Sequence, residues 1–196
     1  MTKKPVLIIL ALILATGVLL ILSRPRKTSP PEVTQSQLVL REDSWYRQGE
    51  DIPFTGVLVE TYETGERKSR SEIAEGRLEG RSERWYTNGQ PQRLEYFHAG
   101  VAHGLRTKWH PNGRRLSEVQ IIQGQLEGTF RRWYEDGTLH QEILLENGKP
   151  EGIARAYYPS GFLRAEARLN HGELISQEFW KDGEQSGIAP AAIARQ

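Results

Sequence analysis

The hydrophobic and polar positions of this chain follow different patterns before and after Gln37. Residues 5–22 form an apolar run without a single charge. After Gln37, apolar and polar residues alternate over short stretches, and no spacing of three or four residues competes with that alternation. Alternation is typical of half-buried β-strands, whereas a long apolar run favours one helix. The pattern therefore predicts one N-terminal helix followed by an all-β body.

Glycine recurs at a fixed spacing of 24 residues through the all-β part of the chain. Fifteen of the 19 glycines fall into three such series. The first is Gly56, Gly80, Gly104, Gly128 and Gly152; the second is Gly65, Gly89, Gly113, Gly137 and Gly161; the third is Gly76, Gly100, Gly124, Gly148 and Gly172. A period of this size is typical of tandem units that are each too small to bury their own apolar face. The chain is therefore predicted to be a repeat protein.

Each repeat combines two strand-like runs with glycine-containing turns. An Asn or Asp precedes the second-series glycine in three repeats, as in Asn88-Gly89 and Asp136-Gly137. Such a pair between two strands indicates a type I′ hairpin turn, which needs positive φ at both central residues. We therefore give the second-series glycines a structural role as turn residues. The predicted fold is an elongated single antiparallel sheet of tandem β-hairpins, preceded by one transmembrane helix.

Aromatic residues occupy two adjacent columns of the repeat. The first column is Trp85, Trp109, Trp133 and Tyr157, and the second contains Tyr86, Tyr134 and Tyr158, with His110 in one repeat. Neighbours in a strand point to opposite faces, so the columns are predicted to lie on opposite faces of the sheet. Two interpretations stay open: the rings pack against one another as the face of the sheet, or they also line a groove for a peptide or glycan.

The ends of the array depart from the repeat. Leu38–Leu40 and Trp45-Tyr46 precede the first regular unit, and the sixth unit is shortened by two residues. Atypical terminal units are predicted to protect the sheet edges. The domain boundaries that follow are a membrane anchor or uncleaved signal at 1–23, a Pro/Ser/Thr linker at 24–37, the repeat array at 38–183 and a disordered tail at 184–196.

The apolar run has the length of a membrane span. As a helix, its 18 residues extend for about 27 Å, close to the hydrocarbon thickness of about 30 Å. Lysines precede it and three basic residues follow it within Arg24–Lys27. We predict a single-pass anchor with the repeat body on the extracytoplasmic side. The alternative is a cleaved signal that leaves a secreted or periplasmic protein.

Composition and motifs exclude several functions. The net charge is +1 and charged residues make up 26%, so no strong field favours nucleic acid. The chain has no cysteine, and its five histidines fall in different repeats without a metal-binding spacing. Glu79, Glu127 and Glu151 recur 24 residues or multiples of it apart, which fits a solvated rim better than a pair of catalytic acids. We predict no cofactor, no metal and no enzymatic activity.

Two segments carry a resemblance to a known family. RSERWYTNG (81–89) and LENGKPEG (145–152) resemble the MORN repeat, and more closely its shorter variant. PFTG (53–56) resembles the opening of the YwqK-like group of that family, which is labelled as toxin–antitoxin antitoxins. Departures include His110 in place of Tyr and the contracted last unit. The resemblance implies that the repeats act as interaction surfaces.

The predicted function is that of a non-enzymatic, membrane-tethered module that presents its hairpins to a protein partner. One alternative is an antitoxin or immunity-type protein that neutralises a toxin. Another is an envelope protein that binds a glycan or lipid, with Arg84, Lys108 and Arg132 contacting anionic lipid head groups. The identity of the partner does not follow from the sequence.

Overall fold

A computed structural model describes residues 29–184. The predicted anchor at 5–22 and the tail from 185 onward lie outside the described residues. Within 29–184, no helix has the length and apolarity needed to cross a membrane. The described part consists of fifteen strands and one 3-10 turn, Gln35–Gln37. The strands are β1 Glu32–Thr34, β2 Leu38–Arg41, β3 Ser44–Arg47, β4 Gly56–Thr61, β5 Arg67–Ala74, β6 Arg77–Trp85, β7 Pro91–His98, β8 Val101–Ala102, β9 Gly104–Trp109, β10 Arg115–Ile122, β11 Gln125–Trp133, β12 Leu139–Glu146, β13 Lys149–Tyr157, β14 Leu163–Asn170 and β15 Glu173–Phe179.

Thirteen strands form one long mixed sheet. Its order is β1-β4-β5-β6-β7-β9-β10-β11-β12-β13-β14-β15, with the short β8 also paired to β7. From β4 to β15 every neighbouring pair is antiparallel and follows the order of the chain. The predicted all-β fold of tandem hairpins is therefore confirmed for the described residues.

The N-terminal end of the sheet differs from the prediction of a single antiparallel sheet. β1 pairs with β4 in parallel, and β2 and β3 form a separate hairpin. A parallel pair needs a crossover, and the β2–β3 hairpin supplies it while covering the buried Ile73. The backbone N–H of Val57 also donates to the carbonyl of Pro31 at 2.8 Å. The last residues of the predicted linker are thus part of the sheet.

Two kinds of turn connect the strands, and they lie at opposite ends of the strands. The second-series glycines close three-residue loops: the N–H of Gly89 donates to Tyr86, and the N–H of Tyr86 donates to Gln90, both at 2.9 Å. Only the glycine has positive φ there, +80° at Gly89. The prediction of type I′ turns at this series is wrong, because a type I turn followed by a bulged glycine needs one left-handed residue, not two.

The type I′ geometry belongs to the third glycine series. Both residues have positive φ in each of these turns, for example +51° at Asn147 and +78° at Gly148. The other pairs are Glu75-Gly76, Ala99-Gly100, Gln123-Gly124 and His171-Gly172. Each turn connects one hairpin to the next, so it sets where the following repeat begins.

Apolar side chains are buried in two separate clusters. Near the N-terminal end, Val33, Leu38, Phe54 and Ile73 pack together with partly buried Trp45, Leu58 and Leu78. Near the other end, Trp133, Leu139, Tyr157 and Leu163 pack with Trp180. Ile121 and Leu145, from the column that includes Ile73, are also buried. Burial is distributed along the sheet, as expected for an array without one thick core.

The two lateral ends of the sheet differ in their protection. β1 is only three residues long, and its central Val33 is 2% exposed. β15 is seven residues long, and every one of its residues is exposed. The shortened sixth unit was predicted to protect this edge. Within 29–184 this protection is not seen, because β15 pairs antiparallel with residues 165–170 of β14 and no strand in 29–184 pairs with its outer side.

Candidate interaction face

The Trp column lies at the ends of strands and is partly covered by its neighbours. Trp133 and Tyr157 are each 7% exposed, and Trp85 and Trp109 are half-buried. The guanidinium of Arg67 lies 5.9 Å from the ring centre of Trp85, and that of Arg115 lies 5.7 Å from the ring centre of Trp133. These contacts use the ring surface within the sheet, and they leave no open aromatic groove at Trp133 or Tyr157.

The Tyr column forms a hydrogen-bonded ladder between repeats. Each Tyr follows the last residue of a strand and flanks the three-residue loop, so it leaves the strand geometry that the alternation assumed. Its hydroxyl donates to the main-chain carbonyl at the aromatic position of the next repeat. The bonds are Tyr62 to Trp85 at 2.7 Å, Tyr86 to Trp109 at 2.9 Å, Tyr134 to Tyr157 at 2.8 Å and Tyr158 to Trp180 at 2.9 Å. In the remaining repeat, Nε2 of His110 lies 3.0 Å from the carbonyl of Trp133.

A second ladder, built on glutamates, lies at the other ends of the strands. The carboxylate of Glu127 accepts the backbone N–H of Asn147 at 2.9 Å, and Glu79 and Glu151 accept those of Ala99 and His171, both at 2.6 Å. These carboxylates therefore hold the first residue of three of the five type I′ turns. The bond from Ala99, with a smaller effect of His98, lowers the pKa of Glu79. These glutamates are bonded to the backbone, which the interpretation as a solvated rim did not include.

One face of the sheet carries a charge-balanced row in its C-terminal half. Glu118, Arg131, Glu142, Arg155 and Glu166 are successive cross-strand partners from β10 to β14. Arg131 Nε lies 2.6 Å from Glu142, and Arg155 Nε lies 2.9 Å from Glu166. Opposite charges directly across a strand pair stabilise the sheet modestly. This face therefore has little net charge to offer a partner.

The other face carries an unbalanced row of cations. Arg84 pairs with Arg93, and Arg93 with Lys108, so three cations lie side by side on β6, β7 and β9. Two strands further, Arg132 occupies the same row beyond Ser117. We call Arg84, Arg93, Lys108 and Arg132 the cation row. Like charges directly opposite one another destabilise a sheet, so this arrangement works against folding.

One buried carboxylate partly compensates the cation row. Glu95 is 4% exposed, and its two oxygens bind Arg93 Nε at 3.1 Å and Arg106 Nε at 2.8 Å. Neither Arg84 nor Lys108 has a carboxylate within 4 Å among residues 29–184. Glu95 thus fixes two arginines in position but leaves the row with a net positive charge.

The cation row borders a shallow groove of about 240 Å³. Its lining consists of Arg84, Tyr86, Gln92, Arg93, Lys108 and Leu116. The groove is an open surface with three cations, one tyrosine, one leucine and one amide. Such a lining suits an extended anionic segment, because carboxylates reach the cations while apolar parts contact Leu116.

The sequence indicated only part of this arrangement. It selected Arg84, Lys108 and Arg132, but it missed Arg93, Glu95 and Arg106. The missing signal is the bulge register: each three-residue loop shifts the pairing by one residue, as between Arg84 and Trp85. Without that shift, the partner of Arg84 across the hairpin cannot be assigned.

No metal centre accompanies these residues in the described part of the chain. Residues 29–184 contain no group of three His, Asp or Glu side chains that could hold an ion. The histidines are separated, with His98 3.0 Å from Glu79 and His140 stacked on Tyr134 at 4.3 Å between ring centres. Burial, and then the nearby Arg132 and Arg164, lower the pKa of His140.

The comparison with known families agrees with the hairpin architecture. Residues 78–99 and 126–149 match the family described as MORN repeat variant. These two segments are similar to MORN repeats. They fall in β6–β7 and β11–β12 with the turns that follow. MORN repeats commonly act as protein- or membrane-interaction modules. No curated protein matches the chain.

Proposed function

We propose that this chain is a non-enzymatic interaction module whose cation row binds an acidic segment of a protein partner. The observation that carries the proposal is the side-by-side placement of Arg84, Arg93 and Lys108 along one groove. The apolar run at 5–22 tethers the module to a membrane, and the MORN repeats face the extracytoplasmic side.

The energetics of the row favour a binding role over a structural one. Each like-charged cross-strand pair is unfavourable by a few tenths of a kcal/mol, up to about 1 kcal/mol. The opposite face avoids this penalty by alternating Arg131 with Glu142 and Arg155 with Glu166. A bound carboxylate-rich segment would supply the missing negative charges to Arg84 and Lys108. Relief of the repulsion within the row would then contribute to the free energy of binding.

Site-specific crosslinking in cells tests the proposal. A photoreactive residue at Ser117, which lies in the row between Lys108 and Arg132, is expected to capture a partner. The charge-reversed pair Arg84→Glu with Lys108→Glu should abolish the adduct. The matched control reverses the exposed Arg77 and Arg168, neither of which forms an ion pair in 29–184, and should leave the adduct unchanged. An adduct equally strong in both double variants would contradict a role for the cation row.

Anionic lipid is the second candidate ligand, because the same cations complement phosphate groups. Co-sedimentation of the full chain with vesicles distinguishes the two. A preference for anionic over neutral vesicles that is lost in the Arg84→Glu, Lys108→Glu variant, without any protein adduct, would assign the row to lipid. Binding that persists in this variant would show attachment through residues 5–22 alone.

Membrane tethering and the antitoxin hypothesis have separate tests. A topology reporter after Gln196 gives the side of the membrane on which the repeats lie, and a cytoplasmic signal would refute the proposed orientation. The antitoxin hypothesis depends on the family resemblance alone. It predicts that deletion of this gene beside a toxin gene stops growth, and normal growth would refute it.

A further inference from the structure

We propose that the outer edge of β15 is a second docking site, which takes an extended basic strand from a protein partner by β-sheet addition. This site is separate from the cation row, and it can be present whether or not the row binds an acidic segment. The proposal depends on three features of β15: its exposure, its length without lysine or proline, and its charge.

All seven residues of β15 are exposed, and they include large apolar side chains. Leu174 is 54% exposed, Ile175 60% and Phe179 67%. Hydrogen bonding to β14 uses one side of the strand only, so the backbone groups on the outer side have no strand partner within 29–184. A row of free N–H and C=O groups is a template for one more strand.

β15 has only part of the protection that is usual for an edge strand. Edge strands of stable monomers are short, bulged, or carry proline or charged residues, lysine above all. β15, ELISQEF, is seven residues long and has neither lysine nor proline; its protective features are Glu173, Glu178 and a bulge at Ile175. At the other end of the sheet, β1 is only three residues long, and this shortness protects that edge against pairing.

The charge of the edge selects a basic partner. In the balanced row, the position that carries Arg131 in β11 and Arg155 in β13 carries Glu178 in β15. Glu178 therefore faces Glu166, which already binds Arg155. Arg168 lies diagonally on β14, but it is not within 4 Å of Glu178. A Lys or Arg opposite Glu178 on an added strand would restore the alternation.

A second copy of this chain fits the edge less well than a basic strand does. Pairing of two β15 strands would place Glu173 and Glu178 of each copy along one seam, and the strand has no cation to neutralise them. The β1 edge of another copy is short and contributes Glu32, a further acid. Charge complementarity therefore favours a different protein.

Peptide binding to the full chain in mild detergent tests the proposal. The probe is a fluorescent peptide with the β14 sequence, LRAEARLN, carrying the change Glu166→Arg, and its control is the unchanged sequence. A peptide that repeats the register of β14 on the outer side of β15 places this position opposite Glu178. Anisotropy should show that the Arg peptide binds roughly two- to fivefold more tightly than the Glu peptide, as expected for one cross-strand charge pair.

The protein variant Glu178→Lys should reverse that preference, whereas Glu146→Lys, an identical change at an exposed site on β12, should leave it unchanged. Far-UV circular dichroism verifies that both variants fold. Absence of binding, or a preference that Glu178→Lys does not alter, would overturn the proposal. A concentration-dependent dimer in sedimentation that Ile175→Lys abolishes would also overturn it, because the edge would then belong to a second copy.

Discussion

Removal of one hydroxyl from the tyrosine ladder should measure how strongly one repeat holds the next. In Tyr134→Phe, the ring remains in place against His140, so packing is retained and only the 2.8 Å bond to the carbonyl of Tyr157 is lost. One such bond contributes about 1 kcal/mol net. For a body of this size, that corresponds to a decrease in Tm of about 2–4 °C. Burial raises the pKa of Tyr134, so the hydroxyl remains a donor throughout the neutral range.

The matched control is Tyr96→Phe. Tyr96 is 39% exposed, and its hydroxyl donates to no protein group in 29–184. Thermal and urea unfolding followed by circular dichroism should therefore show a change within about 0.5 kcal/mol for this variant. Combining Tyr134→Phe with Tyr86→Phe, two repeats away, should roughly double the loss. Equal stability of Tyr134→Phe and Tyr96→Phe would refute the ladder as a source of coupling between repeats.

Three further predictions concern the turns and the acid range. Gly137→Val should lower the free energy of unfolding by at least about 1–2 kcal/mol, because φ is +94°. An added Cβ meets nothing within 4 Å, so the loss comes from the backbone conformation and not from a clash; a wild-type urea midpoint would contradict this. Glu127→Ala should cost about 1 kcal/mol in the same assay through the lost bond to Asn147, with the exposed Glu146→Ala as a neutral control. The lowered pKa of His140 stabilises the fold above its unfolded value of about 6.5, and that stability is lost as pH falls through the folded pKa. Tm should therefore decrease below pH 6.5 in the wild type and decrease less in His140→Phe. Identical pH profiles of Tm would exclude His140 as a source of the acid destabilisation.

The repeat period predicted the hairpin architecture because it is a local signal. Each lattice glycine from Gly65 onward marks a backbone position with positive φ, and such positions are readable from residue type. The choice of turn type was not readable in the same way. Asn-Gly suits both kinds of connection, and type I′ turns here begin with residues as different as Ala99, which seldom adopts positive φ, and His171, which adopts it more readily. Their conformation is supported by Glu79 and Glu151, which lie 20 residues earlier.

The parts that sequence reasoning missed depend on pairings between distant residues. β1 is three residues long, too short for alternation to identify, and its parallel pairing depends on the crossover that follows it. The cation row depends on the loop bulges, which decide that Arg93 and not a neighbour faces Arg84. Such register shifts change which residues share a face, so residue types alone could not assemble the row.

The positions that repeat and the positions that vary have different roles in this array. Tyr86 and Tyr134 recur because each forms a hydrogen bond to the next hairpin at one end of the strands. Glu79 and Glu127 recur because each holds a turn at the other end of the strands. Neither ladder uses the side chain at the position directly before the Trp column, so this position is free to change without loss of register. This position holds Arg84 in one repeat and Glu60, Lys108, Arg132 and Ala156 in others. The aromatic columns that suggested a binding surface are therefore the part of the repeat that its own neighbours occupy. Under the proposed function, specificity for a partner lies in the variable slots that form the cation row.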